Sequence, residues 1–396
     1  MRRLSVAGLS LLLLGTLLWL FWLQMVSRQM TVSSLQLSIE SVAPSPLPTP
    51  EPTEAITIDD YEFGEPVYHL SNRQRLSVIG WLPDNQRAIV ATDEVQQIQV
   101  IDFRTNHAAT FGAVGATYPK IVWLGKSEKL AYLENVAGEI RLRISGGEGE
   151  SIVQPLTQNL VRDALTAQDD KLLVLEVGSQ SPLLIDSTGE QEFLPPVSLQ
   201  EFSINLALPA FFGPSMKWHP IEPKVAIYDR HGFVVLELDT GRVAPFDINQ
   251  AQDFWVFDAS WSPNGQKMAL QYVQHDPPFD LVRLAILDIA AQKIQEFQVP
   301  LTWLSDVVWS PNGQQVLVAG HQIIDAQRVF EVYVVDISSG KSRKVELLSS
   351  YFLPTLENVN LAWSWDGKRL LFSCKPRDLS AVIALCESSV TIRGAR

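Results

Sequence analysis

Ala259-Ser260-Trp261-Ser262-Pro263-Asn264-Gly265-Gln266 is the stretch of sequence that decides the fold. It carries an apolar segment that ends in tryptophan into a tight turn, and a short apolar strand follows at Lys267–Leu270. Asn-Gly supplies the positive φ that a tight turn between antiparallel strands requires. The stretch therefore predicts a β-hairpin whose first strand ends at the tryptophan.

The same unit recurs along the chain. Two further copies keep all its features, Val308-Trp309-Ser310-Pro311-Asn312-Gly313-Gln314 and Ala362-Trp363-Ser364-Trp365-Asp366-Gly367-Lys368. Weaker copies fall into register with them, three at a tryptophan and one at a leucine: Trp81, Trp123, Leu165 and Trp218. Repeats of about 40–50 residues with four short strands are typical of propeller blades. The seven copies predict an all-β, seven-bladed β-propeller.

Each unit continues with further strands. In the best-preserved copy a third strand is predicted over Val329–Asp336 and a fourth over Arg343–Leu347. Each tryptophan is expected to wedge between neighbouring blades, where burial contributes roughly 2–3 kcal/mol. Two segments compete to close the ring, the C-terminal Val390–Arg393 and an N-terminal segment near Pro66–Leu70, which we favour.

The repeats resemble those of TolB-like propellers, which are relatives of the WD-repeat family. The resemblance rests on the W-S-P-N-G-Q and W-S-W-D-G-K units, each followed by an apolar strand and then by a strand like Tyr333-Val334-Val335-Asp336. It covers roughly Leu76–Arg396 and is weakest in the early blades. It implies a toroidal propeller of the cell envelope that binds other proteins, is not an enzyme and has no shared catalytic residues.

An uncharged segment runs from Leu4 to Ser27, after Arg2 and Arg3. A helix of this length, rising about 1.5 Å per residue, covers a hydrocarbon core of roughly 30 Å. A cleaved signal peptide is the competing interpretation, but the bulky, aromatic Trp19–Met25 end favours an uncleaved membrane anchor. The arginines before the span predict a cytoplasmic N-terminus and an extracytoplasmic propeller.

Proline dominates the segment between Ser41 and Thr53. Because proline fixes φ and removes N–H donors, we expect a semi-rigid spacer there. The predicted organisation is a cytoplasmic tip and single transmembrane helix at 1–27, a Pro-rich linker at 28–55 and the propeller at 56–396.

The charge of the chain argues against nucleic acid as a partner. Two of the 31 Lys and Arg residues precede the span, whereas all 44 Asp and Glu residues follow it. The exported part therefore has a net charge of about −15, which repels nucleic acid and anionic headgroups.

Loop lengths predict which face of the ring binds a partner. Turns after the tryptophans and between third and fourth strands are short, whereas connections between second and third strands and between blades are long. Within blades, long connections are predicted at Val273–Asp280, His321–Arg328 and Lys375–Ser380; between blades, at Gln200–Ser215, Asp247–Phe257 and Leu348–Glu357. Long loops on a rigid scaffold commonly carry binding residues.

The candidate partner-binding residues are the aromatic, histidine and charged residues of these connections: Phe211, Phe212, Phe254, Trp255, His275, Asp276, His321, Arg328, Tyr351, Phe352 and Arg377. The competing interpretation is that the aromatic residues fold back over blade edges or fill the central channel.

Cys374 and Cys386 are the two cysteines of the chain. Their placement in successive strands can bring them together in a hairpin, and a disulfide persists in an exported domain. A disulfide and two free buried thiols both remain compatible with the sequence.

Motifs for catalysis or cofactor binding are missing from the sequence. There is no Gly-x-Ser-x-Gly elbow, and the glycines of Gly146–Gly149 fall in a turn between strands. His219, His231, His275 and His321 are not paired at metal-ligand spacing, and Asp276 with Asp280 offers too few carboxylates for Ca²⁺. No cofactor or metal is predicted.

The sequence therefore favours a membrane-anchored propeller that binds an unidentified protein partner or scaffolds an assembly, without catalysis. The alternative is a carbohydrate-active hydrolase or lyase with its site at the channel mouth. A cluster of carboxylates with shifted pKa values at that mouth would favour the enzyme, and an apolar rim would favour binding.

Overall fold

Seven antiparallel sheets make up the part of the chain that the computed structural model describes. The described residues are 56–72, 76–92, 97–113, 121–136, 139–146, 151–156, 160–168, 170–176, 181–197, 215–229, 232–246, 254–276, 279–325, 327–346, 348, 361–374 and 383–393. The predicted seven-bladed all-β propeller is confirmed. No helix within these ranges is long and apolar enough to cross a membrane. The predicted anchor and Pro-rich linker lie outside them.

The first blades follow an N-terminal segment that has a 3₁₀ turn at Ile58–Asp60 and two short strands, β1 (Tyr61–Phe63) and β2 (Val67–Asn72). Blades 1 to 3 each pair four strands in chain order. Their bounds are β3 (Leu76–Trp81), β4 (Arg87–Thr92), β5 (Gln97–Asp102) and β6 (His107–Ala113); β7 (Ile121–Leu124), β8 (Lys129–Val136), β9 (Glu139–Ser145) and β10 (Ser151–Pro155); β11 (Leu160–Gln168), β12 (Lys171–Glu176), β13 (Leu183–Asp186) and β14 (Gln191–Phe193).

Blades 4 to 6 repeat this arrangement, and blade 7 takes three strands from the C-terminal region. Their bounds are β15 (Ser215–Trp218), β16 (Lys224–Tyr228), β17 (Phe233–Glu237) and β18 (Val243–Phe246); β19 (Phe254–Trp261), β20 (Lys267–Asp276), β21 (Phe279–Asp288) and β22 (Lys293–Phe297); β23 (Trp303–Trp309), β24 (Gln315–Ile324), β25 (Gln327–Asp336) and β26 (Ser342–Lys344); β27 (Ala362–Trp363), β28 (Arg369–Cys374) and β29 (Ile383–Ile392). The fourth strand predicted over Arg343–Leu347 is thus shorter than expected.

The turns of the three strong copies share one hydrogen-bond pattern. After Trp261, the Ser262 hydroxyl donates to Asn264 Oδ1 (2.8 Å) and accepts from the Lys267 N–H (2.9 Å). Gly265 has φ +69°, the left-handed region that this turn requires. The serines and glycines of the two other strong copies repeat the geometry: Ser310 with Gly313, and Ser364 with Gly367.

The tryptophans join neighbouring blades. Three indole N–H groups donate to a carbonyl of the preceding blade, just before that blade's own tryptophan: Trp81 to Ala362 O (3.0 Å), Trp261 to Lys217 O (2.9 Å) and Trp309 to Ser260 O (3.1 Å). Trp81, Trp309 and Trp363 are buried. The predicted core role of these tryptophans is confirmed.

His219 fills the seam between blades 4 and 5. Its Nε2 lies 3.1 Å from Gly265 O, and its Nδ1 accepts the N–H groups of Ile221 (3.1 Å) and Glu222 (2.8 Å). The ring also packs edge-on against Trp261, with centroids 4.7 Å apart. Because Nδ1 is an acceptor, the arrangement needs a neutral ring. Burial accordingly lowers the pKa of His219.

We expect His219 to make the propeller less stable in mild acid. The unfolded chain binds a proton near the ordinary histidine pKa, whereas the folded chain does so only at lower pH, so stability falls as pH drops below about 6.5. In His219→Asn, the free energy of unfolding should depend less on pH between 7 and 5, as measured by denaturant titration. His107→Asn, at an exposed strand position, is the control; an unchanged pH dependence in His219→Asn would contradict the assignment.

The ring is closed by the N-terminal latch, residues Ile56–Asn72. β1 pairs with the C-terminal part of β29, from Tyr61↔Ile392 to Phe63↔Val390, and β2 pairs with its N-terminal part. The latch therefore supplies the outer strand of blade 7, as the favoured alternative predicted. Val390 lies in the third strand of that blade instead of an outer fourth strand.

The latch also binds blade 6. Gln315 Nε2 donates to Ile56 O (2.9 Å), and the Tyr61 hydroxyl donates to Gln315 Oε1 (2.9 Å). The Arg343 guanidinium donates to the carbonyls of Ile58 and Tyr61, both at 2.8 Å. Ile58 and Tyr61 are themselves buried. The segment thus holds two blades together.

Cys374 and Cys386 form a disulfide, with Cα atoms 5.8 Å apart. The two residues are not directly opposite, because Cys374 pairs with Ala384 and Cys386 with Phe372. The bridge therefore runs diagonally across the β28–β29 hairpin. Both side chains are fully buried.

Candidate functional site

The first strands of the blades surround the centre of the ring, since most of them lie beside the first strand of the next blade. Bulges interrupt β19 between Val256 and Asp258 and β23 between Leu304 and Asp306. Each bulge ends at an aspartate three residues before the tryptophan of its blade. Two consecutive blades thus present a carboxylate at the same position.

Asp258 is a paired carboxylate. Its Oδ1 accepts the Tyr228 hydroxyl at 2.9 Å and the Ala259 N–H at 2.8 Å. Lys217 Nζ lies 3.0 Å from the same oxygen. Tyr228 and Lys217 both belong to blade 4, so this network links blades 4 and 5.

Asp306 lies in a different environment. Its Oδ2 accepts the N–H of Leu361, in the approach to blade 7, at 2.6 Å. Burial, with a further contribution from the charge of Asp258, raises the pKa of Asp306 to about 7, although Lys217 and the backbone N–H groups oppose the shift. A carboxyl group with this pKa is about half protonated at neutral pH, so it can donate or accept a proton.

Blades 5 and 6 extend further than the sequence predicted. Val273–Asp280 and His321–Arg328 were expected to be loops, but strand pairing continues to Asp276↔Phe279 in blade 5 and to Ile324↔Gln327 in blade 6. The expectation is wrong because the ladder continues through polar and apolar residues alike to these last pairs. Four candidate residues therefore lie in strands: His275, Asp276, His321 and Arg328.

The far end of blade 6 stands without neighbouring strands among the described residues. β23 reaches only to His321 and β26 only to Tyr333. Beyond them, β24 and β25 continue as a two-stranded ribbon. We call this the blade 6 ribbon and define it as His321–Ile324 with Gln327–Glu331.

One face of the blade 6 ribbon brings two predicted site residues together. His321 pairs with Phe330, with ring centroids 5.3 Å apart, and Ile323 pairs with Arg328. Burial, and then the charge of Arg328, lowers the pKa of His321. Ile323 is 46% exposed. The face is therefore mostly apolar and neutral, with one exposed guanidinium.

The other face of the blade 6 ribbon carries a hydrogen-bond network around Glu331 at its base, and a cleft lies beside it. The buried Glu331 carboxylate accepts the amide of Gln322 (2.6 Å) and the hydroxyl of Tyr333 (2.8 Å), and it pairs with Lys344 Nζ (2.8 Å). Ile324, further along this face, is 44% exposed.

The cleft beside the ribbon has a volume of about 230 Å³. It lies between the end of blade 5, at Leu281 and Arg283, and ribbon residues Gln322 and Ile323, with the connection Val299–Thr302 completing its lining. Its lining is mixed, with aliphatic side chains, one guanidinium and one amide.

Four further candidate residues, Phe254, Trp255, His275 and Asp276, lie in strands of blade 5 and not in the blade 6 ribbon. Phe254 and Trp255, expected in a loop, begin strand β19, because the ladder with β20 continues past the bulge. Their side chains, and those of His275 and Asp276, lie outside the described residues. So do the residues predicted on the longest connections: Phe211, Phe212, Tyr351, Phe352 and Arg377.

Sequence reasoning missed four residues, two in the pair of aspartates in blades 5 and 6 and two in the blade 6 ribbon. Asp258 and Asp306 carry one usable signal, an aspartate three residues before tryptophan in consecutive repeats. Ile323 and Ile324 were passed over because they lay within a supposed loop. Within the described ranges no group of three or more histidine, cysteine or acidic residues is placed to hold a metal ion.

Comparison with known proteins shows likeness of fold. No family model matches the sequence, and no curated protein matches it. Among solved structures, an oligogalacturonate lyase in complex with manganese is 14% identical with a TM-score of 0.57, covering 86% of this chain and 92% of that one. An oligogalacturonate lyase from Vibrio parahaemolyticus is 13% identical with a TM-score of 0.56, covering 84% and 92%.

A chain of a mitotic checkpoint complex is 11% identical with a TM-score of 0.54, covering 90% of this chain and 99% of that one. At these identities the likeness concerns the fold alone, because one fold hosts many unrelated functions. The chain therefore shares its fold with lyases and with a member of a protein assembly.

Proposed function

We propose that the chain is a protein-binding propeller that receives its partner at the blade 6 ribbon. The observation that carries the proposal is the pair of exposed isoleucines at the end of this ribbon, Ile323 at 46% and Ile324 at 44% exposure. Successive strand residues point to opposite faces, so apolar surface is presented on both sides of the ribbon. Ile323 lies on the same face as the half-buried Phe330 ring, so the apolar surface on that side is shared by two side chains, and adjoining exposed apolar residues mark interaction surfaces.

The proposal includes a cellular location for the propeller, the extracytoplasmic side of a membrane. The resemblance of the repeats to TolB-like propellers and the apolar segment Leu4–Ser27 support a cell-envelope protein held by an N-terminal helix. In this setting the partner is another protein of the extracytoplasmic side. Protease accessibility of the propeller in intact cells tests this part.

Site-specific crosslinking tests the binding surface. A photoreactive residue placed at Ile323 or Ile324 in the full chain, in cells that produce it, should give a discrete protein adduct because the partner covers these side chains. The same residue at Ile221, which is 66% exposed in a turn of blade 4, is the matched control and should give none. Equal adducts at all three positions, or none at the ribbon, would contradict the proposal.

A second candidate function is supported by Asp306. Its pKa of about 7 and the paired carboxylate of Asp258 give two carboxyl groups in different environments, an arrangement that acid–base catalysis uses. In this alternative, the chain is a carbohydrate-active hydrolase or lyase with its site at the channel. Oligogalacturonate is a suitable first substrate, since two solved structures of the same fold are named for lyases that act on it.

The substitution Asp306→Asn tests the second candidate. If Asp306 transfers a proton, release of shortened or unsaturated oligosaccharides should fall by about 100-fold or more. Asp325→Asn, at an exposed turn position, is the control and should keep the activity. Absence of products from the unsubstituted chain, or equal activity in Asp306→Asn, would exclude this role.

A further inference from the structure

Among the described residues, the outer edge of β25 is only partly covered. β25 is ten residues long, but β26 pairs with Tyr333–Val335 alone. Two flanking hydrogen bonds, Asp336 N–H to Lys341 O (2.9 Å) and Val345 N–H to Val332 O (2.8 Å), show which backbone groups face outward. By the alternation of a strand, the N–H and C=O groups of Phe330 and Arg328 face outward in the same direction.

These outward groups have no hydrogen-bond partner among the described residues. An uncovered strand edge is a template for another strand. The uncovered length, Gln327–Glu331, spans roughly 17 Å at about 3.3 Å per residue. It offers four main-chain hydrogen bonds, two from each of Arg328 and Phe330.

The side chains beside this edge add specificity. Arg328 is exposed and forms no ion pair with any carboxylate of the described residues, in a chain whose net charge is −13. Phe330, on the same face, presents a half-buried ring. In an antiparallel pair, directly opposite residues share a face and interact. An incoming strand would therefore place an apolar residue opposite Phe330 and an acidic residue opposite Arg328.

We infer that the partner presents an extended segment that adds antiparallel to β25 along Gln327–Glu331, with an acidic residue two positions after an apolar one. This inference rests on the proposed binding at the blade 6 ribbon and names its occupant. Main-chain pairing gives such a complex its affinity, and the alternating side chains give it specificity.

Amide hydrogen exchange on the full chain tests strand addition directly. The probe is the peptide acetyl-Thr-Val-Thr-Asp-Thr-amide at millimolar concentration. Exchange of the Arg328 and Phe330 amides should slow by at least tenfold, because the peptide accepts their hydrogen bonds. The amides of Val329 and Glu331, which face β24, should change little. Binding without this selective protection, or no binding at all, would overturn the inference.

A charge exchange tests the side-chain contact. Arg328→Glu should weaken peptide binding by at least tenfold, and a peptide with lysine in place of aspartate should restore it. Lys293→Glu, at an exposed position of β22, is the matched control and should bind normally. Equal binding by Arg328→Glu and the unsubstituted chain would count against the assigned chemistry.

The two proposals can fail separately. If the Ile323 crosslink to the partner forms but the Arg328 and Phe330 amides stay unprotected in that crosslinked complex, the ribbon binds through side chains and strand addition is wrong. If the crosslink is absent as well, the proposed binding surface itself is wrong.

Discussion

Deleting the latch, Ile56–Asn72, is expected to abolish the cooperative thermal unfolding of the propeller. The deletion removes the outer strands of blade 7 and leaves an edge along β29, Ile383–Ile392, uncovered. It also removes the buried side chains of Ile58 and Tyr61, and it leaves Gln315 and Arg343 without the carbonyls they bind. Each fully buried apolar side chain contributes about 1.5–3 kcal/mol, and the lost strand pairing and side-chain hydrogen bonds add to this, so the sum approaches the whole stability of a typical domain.

Circular dichroism during heating measures this effect. An equally long deletion at Thr31–Leu47, in the predicted linker, is the control and should leave the midpoint of unfolding unchanged. If the latch deletion unfolds cooperatively at the same temperature as the control, the latch does not close the ring in solution.

Replacing Cys374 and Cys386 together by alanine is expected to lower the free energy of unfolding by about 3 kcal/mol. The bridge closes a loop with a sequence separation of 12, and constraining a loop of this length in the unfolded chain stabilises the fold by about that amount. Loss of two fully buried sulfur atoms adds to the effect. Equilibrium unfolding in denaturant, without reductant, measures it.

Reduction provides the matched comparison for the disulfide. Dithiothreitol should lower the stability of the unsubstituted chain towards that of the double variant, and it should leave the double variant unchanged. A chain whose stability is insensitive to reductant would show that the bridge contributes nothing.

The fold was predictable because its determinants are local and repeated. The turn at Ser262–Gly265 contains its own hydrogen bonds, so the sequence of one copy specifies the hairpin. The spacing of the copies then fixes the number of blades, even at Leu165, where the tryptophan is missing. The ring closure was predicted less firmly, because pairing of β1 with β29 joins segments that share no local signal.

The candidate site was less predictable, for two physical reasons. The segment from His321 to Arg328 contains glutamine, aspartate and arginine, which are common in loops, yet cross-strand pairing overrides these local preferences. Asp306 acquires its raised pKa from burial and from Asp258 in another blade. Neither the burial of Asp306 nor its proximity to Asp258 can be read from the sequence around it.

The pairing of Tyr61 with Ile392 has a consequence for the order in which the molecule forms. During synthesis the latch emerges before any blade, but the strand that it pairs with emerges last. Blades 1 to 6 can form their meanders as they appear, since their strands pair in chain order. Ring completion must wait for the C-terminal end, and contacts between such distant segments form slowly. Until then β1 and β2 have no partner strand and can pair with the wrong one. A holdase that covers Tyr61–Asn72 during biogenesis would therefore increase the yield of native protein.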